Sequence, residues 1–328
     1  MLDRRDRLIL YELDKNARVP LSKIAKKAWL SRETVLYRTR KYFSGGIIRQ
    51  YLTIINLAKI GYTHHKIYAV LHNITEEKEK KLISDLLKDP NIGWVASCDG
   101  KYSLIFTILA KNLIELNEKI KSLHKKYGEY FSDLEITSII KAYHYPRDYL
   151  IQAKSRSAAE KVRFRGGEKE DFALDDTDAE ILESLSEDSR VSAVDIARKI
   201  KVHPGGILNR IKKLEKANLI VNYMIWPNVN KLIGNYFKVL VKLNNVEEES
   251  EKKLYTYCQN NPHIVYIVYC LGSWQFEMDI EVSTTEEFRK IMRQFLSEFS
   301  SSVLQYTALN IYQEYKFKLF DKQMLKNK

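Results

Sequence analysis

Cysteine is scarce in this chain of 328 residues, and the three present, Cys98, Cys258 and Cys270, include no Cys-x-x-Cys pair and are odd in number. That argues against a disulfide scaffold and fits a reducing compartment, with each thiol serving as a small buried hydrophobe. The seven histidines are scattered, and none stands at zinc-ligand spacing from another His, Cys or acid, so neither a structural metal nor a cofactor is expected. No Gly-rich phosphate loop, nucleophile-base arrangement or acid pair of recognisable spacing occurs, which leaves catalysis without motif support. The opening Met1-Leu2-Asp3-Arg4-Arg5-Asp6 holds no apolar stretch of the secretory kind, and no later run nears the roughly 18 apolar residues of a spanning helix. The expectation is a cytoplasmic protein with no membrane partner.

What is present is basic charge and repetition. Lys and Arg outnumber Asp and Glu by 54 to 42, a net charge of +12 that favours an anionic partner. Leu-Asp-x-x-Asp opens the chain (Leu2, Asp3, Asp6) and recurs at Leu174, Asp175 and Asp178. Arg18-Val19 then matches Arg190-Val191, Ile24-Ala25-Lys26 matches Ile196-Ala197-Arg198, and Arg38, Tyr51, Cys98 and Gly100 fall on Arg210, Tyr223, Cys270 and Gly272. Two copies of one two-part module lie head to tail.

The first part of each copy reads as three short helices and a hairpin. Apolar spacing marks helices at Asp6 to Leu13 and Leu21 to Ala28, repeated at Glu180 to Leu185 and Ala193 to Ile200. A third helix starts after Ser31, a good N-cap, and after His203 with Pro204 at the first helical position. Its inward stripe is Val35, Thr39 and Tyr42, or Ile207, Ile211 and Leu214, and a wing strand follows at Ile47 to Leu52 and Leu219 to Met224. This is the pattern of a winged helix-turn-helix, whose third helix fits the major groove of B-DNA. The second part of each copy runs strand, helix, strand, strand, helix, strand, the ferredoxin-like βαββαβ order. The fold class is therefore α+β, with two winged helix-turn-helix domains (1–62 and 174–234) alternating with two ferredoxin-like domains (63–150 and 235–328). Between them, residues 151–173 read as a flexible, basic tether, with Arg163-Phe164-Arg165-Gly166-Gly167 at its middle.

The run Leu30 to Lys41 through Gly46-Ile47-Ile48, the run Asn209 to Glu215 through Leu219-Ile220, and both Leu-Asp-x-x-Asp openings resemble the DNA-binding part of the Lrp/AsnC (feast/famine) transcriptional regulators. The resemblance extends over nearly the whole chain, twice. It implies double-stranded DNA as partner, self-association through the ferredoxin-like domains and, in many relatives, an amino-acid or other small-molecule effector. The family's Gly-x-Tyr-Asp turn stands here as Gly100-Lys101-Tyr102-Ser103 and Gly272-Ser273-Trp274-Gln275, with glycine and aromatic kept and the carboxylate missing. Gly100, Tyr102, Gly272 and Trp274 are effector candidates, but tight turns and a filled sheet interface account for them better.

On a helical wheel with Val35 inward, Glu33, Thr34, Tyr37, Arg40 and Lys41 face outward, with Arg38 on the flank. Arg32, Glu33, Thr34 and Tyr37, at the entering turn, are the candidates for base edges, and the N-cap Ser31 is counted with the DNA-binding set. Arg38, Arg40, Lys41 and Arg49 of the wing would hold phosphates. In the second copy Gly205 and Gly206 replace Glu33 and Thr34, leaving Asn209, Arg210, Lys212 and Lys213. Residues 1–62 hold 14 Lys and Arg against 5 acids, whereas residues 174–234 hold 9 against 9, so the first winged helix should dominate binding. The second either grips DNA weakly or has become an assembly element or a contact for another protein.

The tether allows the chain to pair its own two halves as relatives pair identical chains, and closed assemblies of several chains are equally allowed. The aromatic-cationic segment Lys141 to Tyr149 is similar to single-strand binders, though its place after a last strand suits an edge or tail. An enzymatic alternative shares the architecture: siroheme decarboxylases are similar to Lrp/AsnC proteins, and Asn222 to Pro227 bears a faint similarity to their Asn-x-Met-x-x-Trp pattern. Their His-Cys-Tyr-x-Arg-Pro segment has no counterpart in Val268 to Ser273. A third alternative is an architectural chromatin protein with little sequence choice.

Overall fold

The structure, a computed structural model, describes residues 2–153, 163–166, 172–244 and 248–326. The carboxylate of Asp3 accepts from the Asp6 N–H at 2.7 Å while Asp6 accepts from the Asp3 N–H at 2.9 Å, a capping box that starts α1 (Arg4–Lys15). Helix α2 (Leu21–Ala28) ends at Trp29 in the left-handed conformation, and Ser31 caps α3 (Arg32–Ser44) by accepting from the Thr34 N–H at 3.1 Å. Ile9, Leu10, Leu13, Ile24, Val35 and Tyr42 are buried between these three helices. Strand β1 (Ile48–Ile55) leads to β2 (Thr63–Leu71), α4 (Glu76–Lys88), β3 (Ile92–Asp99), β4 (Leu104–Ala110), α5 (Leu113–Tyr127) and β5 (Phe131–His144).

A four-residue strand β6 (Arg163–Gly166) then pairs antiparallel with the end of β5. Those residues of the expected tether thus add to a sheet, and the rest of it from 154 to 171 lies outside the described residues. The second copy repeats the series as α6 (Asp176–Glu187), α7 (Ala193–Ile200), α8 (Pro204–Lys216), β7 (Ile220–Pro227), a one-turn α9 (Val229–Leu232), β8 (Asn235–Leu243), α10 (Glu248–Asn260), β9 (Ile264–Leu271), β10 (Phe276–Val282), α11 (Thr285–Glu298) and β11 (Val303–Phe317).

The expected hairpin within each copy is not what forms. Strand β1 pairs antiparallel with β7 of the other copy, with Tyr51 opposite Ile225 and Thr53 opposite Tyr223. Tyr51 and Tyr223 are equivalent residues, as are Thr53 and Ile225, so the two pairs interchange under a pseudo-twofold axis that passes at Leu52 and Met224. A lone wing strand would leave its backbone groups unbonded, and the sister copy supplies the missing partner.

The ferredoxin-like sheets join in the same way. Each has its own order, β3-β4-β2-β5 and β9-β10-β8-β11, and β3 bonds to β11 while β5 bonds to β9. Eight strands thereby close into a barrel shared equally by the two copies, which removes open edges. Outward residues such as Ile67, Val95 and Phe106 pack under Leu82, Leu86 and Leu116 of α4 and α5, and Val239, Ile267 and Met278 pack under Leu254, Phe288 and Phe295 of α10 and α11.

The alternating inward residues are partly ionic. Glu277 accepts from Lys66, from Tyr68 Oη at 2.7 Å and from Trp274 Nε1 at 3.1 Å. Asp279 accepts from Lys238 and from Tyr236 Oη at 2.7 Å. Arg147 donates from Nη2 to Glu281 at 2.8 Å and from Nη1 to Asp14 of α1 at 2.6 Å, tying the first helical head to the barrel. Burial opposes ionising Glu277, but the two lysines beside it prevail and hold its carboxyl below the ordinary range.

Candidate nucleic-acid interface

Helix α3 turns Val35, Thr39 and Tyr42 into the head and leaves Arg32, Glu33, Tyr37, Arg40 and Lys41 exposed, Tyr37 at 67%. The wheel drawn from the sequence therefore matches the geometry. Ser31 and Thr34 are partly occupied with capping, their hydroxyl oxygens 2.9 Å apart. Arg32 lies 3.9 Å from the carboxylate of Glu33, and both side chains are mostly exposed.

Two residues expected to hold phosphate in this head have other work. Arg38 donates from Nη1 to Asp3 at 2.7 Å and to Asp6 at 2.6 Å, and Tyr42 Oη donates to the same Asp6 carboxylate at 2.6 Å. The hydrogen bond from Arg38 is the main reason the Asp3 carboxyl sits below its usual range. The charge of Arg38 is thus already answered by two carboxylates that belong to the opening motif. Arg49 is also turned inward, donating to the Glu314 carbonyl and lying 5.2 Å from the centre of the Trp226 ring. The wing is paired at the pseudo-twofold axis, so Arg49 points into the body of the protein instead of along it.

The second head repeats the clamp and thins the exposed face. Arg210 donates to Asp175 at 2.6 Å and to Asp178 at 2.8 Å, so its guanidinium is engaged in the same way. Ile207, Ile211 and Leu214 of α8 are buried, while Asn209, Lys212 and Lys213 are exposed. Lys213 Nζ lies 5.4 Å from the centre of the Phe172 ring. His203 caps the helix, its Nδ1 accepting from the Gly205 N–H at 3.2 Å.

The heads grip one another through the repeated Arg-Val motif. Arg18 Nη1 donates to the carbonyls of Ser189 at 2.5 Å and Val191 at 3.2 Å, and Arg190 Nη1 donates to those of Ala17 and Val19, the latter at 3.1 Å. Each guanidinium also covers the other copy's wing tyrosine, Arg18 over Tyr223 at 5.2 Å and Arg190 over Tyr51 at 5.4 Å. The duplicated Arg18, Arg190, Tyr51 and Tyr223 were a signal of this interlock, legible only once the copies are known to meet at the wings. Sequence reasoning also missed Trp29, which stands 87% exposed in the turn before α3 where the second copy has Lys201.

The effector candidates lie where the copies join. Tyr102 and Trp274 are buried with ring centroids 6.2 Å apart, and Tyr68 packs edge-on against Trp274 at 4.8 Å. A Cβ on Gly100 would meet the Ala308 carbonyl at 3.1 Å, and one on Gly272 would meet the Thr137 methyl at 2.7 Å, so each glycine lets a strand of the other copy pass close. The segment Lys141 to Tyr149 is not the edge or tail expected: Lys141 to His144 pair with β9 inside the sheet, and Tyr145, Arg147 and Tyr149 are buried. A cavity of about 80 Å³ remains near Lys66, Lys238, Arg147, Trp94 and Trp226. Among the described residues no cluster of three His, Cys, Asp or Glu could hold a metal, and no helix is long and apolar enough to cross a membrane.

Comparison with known proteins places both heads in one class. The AsnC-type helix-turn-helix domain matches residues 2–42 and 174–215. The HTH-type transcriptional regulator FL11 of Pyrococcus abyssi is 32% identical over 116 residues, 35% of this chain and 76% of that protein. An uncharacterised HTH-type transcriptional regulator of Pyrococcus furiosus is 30% identical over 149 residues, 45% of this chain and 99% of that protein. Each corresponds in length to less than half of this chain. The siroheme decarboxylase NirDL shares the fold across both copies, with a TM-score of 0.60 over 98% of this chain and 96% of that one, at 12% identity. At that identity the likeness is one of fold.

Proposed function

Because the chain belongs to the Lrp/AsnC family of transcriptional regulators, we propose that it is a DNA-binding regulator whose first winged helix supplies most of the grip on duplex DNA. The observation that carries this reading is the outward face of α3, where Arg40 and Lys41 stand exposed beside Tyr37 and the Arg32-Glu33 turn. Arg32, Glu33 and Tyr37 enter the groove and meet base edges, and Arg40 and Lys41 hold phosphate oxygens. Asn209, Lys212 and Lys213 of α8 provide a second, weaker grip.

Each phosphate neutralised releases counterions, so the logarithm of the affinity falls with the logarithm of salt at a slope of about 0.9 per contact. Replacing Arg40 and Lys41 by alanine is expected to lower duplex affinity at least tenfold near physiological salt and to flatten that slope by nearly two. Lys212→Glu with Lys213→Glu should weaken binding less. Unchanged affinity and slope after the α3 substitutions would reject the proposal.

The decarboxylase reading, to which the whole-chain likeness of fold gives some standing, is less well supported. The decarboxylases' His-Cys-Tyr-x-Arg-Pro segment has no counterpart here, the matching strand reading Val268-Tyr269-Cys270-Leu271-Gly272-Ser273. We therefore read the chain as a regulator without enzymatic activity. Self-association is met first within one chain by the shared barrel, and an amino-acid effector at Gly100, Tyr102, Gly272 and Trp274 would have to displace buried aromatic packing.

A further inference from the structure

The two heads share a pseudo-symmetric frame, yet their outward faces differ, and the barrel fixes which face stands beside which. The inward acids Glu277, Asp279 and Glu281 belong to the second copy; the first copy has Ile105, Thr107 and Leu109 at the equivalent places. Their partners Lys66 and Arg147 come from the first copy, at 4% and 9% side-chain exposure. A barrel of two first copies would bury Lys66 without Glu277 and leave Arg147 with Asp14 only, and a barrel of two second copies would bury a double set of acids on Lys238 alone. Buried charge left unpaired is strongly unfavourable, so the copies pair first with second. Every barrel then carries one α3 and one α8.

These helices cannot read DNA alike. Discriminating a base pair in the major groove requires side-chain donors and acceptors at the entering turn. Helix α3 carries Arg32, Glu33 and Tyr37 there; α8 carries Pro204, Gly205, Gly206 and the single amide of Asn209. Packing does not demand those glycines. A Cβ on Gly206 would meet nothing within 4 Å, and one on Gly205 would meet only the His203 ring, at 3.2 Å. The bare turn is thus a property of the outward face, not a requirement of the fold, while Lys212 and Lys213 persist one turn further on for phosphate.

Resting on the DNA-binding reading above, we propose that the chain recognises a non-palindromic duplex site in one fixed orientation. Base information is confined to the half under α3. The half under α8, roughly one helical turn away, is held through its backbone with little base preference. One chain occupies one site, and the site has a direction that a symmetric dimer could not impose.

Selection of bound duplexes from a random library by the full-length protein tests this, followed by affinity measurement on single-base variants of the consensus. The expected result is a one-sided motif in which changes in the informative half lower affinity about five- to a hundredfold, and changes in the other half less than about twofold. A second selection uses the chain with Pro204→Arg, Gly205→Glu, Gly206→Thr and Asn209→Tyr, checked for unaltered melting. It should return the first half-site again as an inverted repeat. A palindrome from the unaltered protein, or binding with no base preference in either half, would overturn the inference while leaving DNA binding intact. Failure to retain any duplex at low salt would remove the underlying reading as well.

Discussion

Arg38 and Arg210 show how a residue's role depends on what its charge already faces. On a wheel both flank a basic face, and both are clamped by the two aspartates that cap the first helix of their own head. Arg38→Ala should therefore loosen the first head by about 1 kcal/mol, a cost typical of a partly exposed ion pair, and leave the salt slope of DNA binding unchanged. Urea denaturation and salt titration separate the two effects. The clamp also has a pH signature. Asp3, chiefly through the Arg38 hydrogen bond, and Asp175, chiefly through the Asp178 N–H, have folded values below the ordinary 3.8. Such a contribution is complete above 3.8 and is lost as pH falls through the lowered folded values. Arg38→Ala should accordingly cost less stability at about pH 3 than at neutral pH.

At the scale of elements, helices and strands were legible because their apolar periods are strong: α3 and α8 start at the expected caps, and the βαββαβ order recurs in both halves. Pairing was not legible. The wing was expected to close on itself as a hairpin, yet β1 finds its partner in β7, because backbone bonding is indifferent to which copy supplies the strand. Strand β10 alternates Phe276, Met278, Ile280 with Glu277, Asp279, Glu281, the pattern of a sheet with one wet face. Closure of the barrel buries that face instead. Of the candidate interface, the outward residues of α3 were read as outward; the partners of Arg38, Arg49 and Arg210 were not legible, because those carboxylates and carbonyls lie far off in sequence or across the copies.

For the whole molecule, the duplication within one chain lets the two halves diverge while remaining paired. The ionic interior is where that pairing is specified. Lys66→Met should destabilise the full chain by about 3 to 5 kcal/mol by leaving Glu277 short of a cation. Adding Glu277→Gln, which still accepts from Tyr68 and Trp274, should restore at least half of the loss in urea denaturation. Additive losses in the double variant would mean that the pair contributes nothing to holding the copies together.

The exposed face of α3 is the feature on which the functional account depends, and covalent trapping tests it most directly. With Tyr37 replaced by a photoreactive phenylalanine analogue, irradiation of the full-length protein bound to duplex DNA should yield a strong cross-link to bases, with a weaker one from the same analogue at Asn209. A protein that stays bound yet forms no cross-link from position 37 would contradict the account.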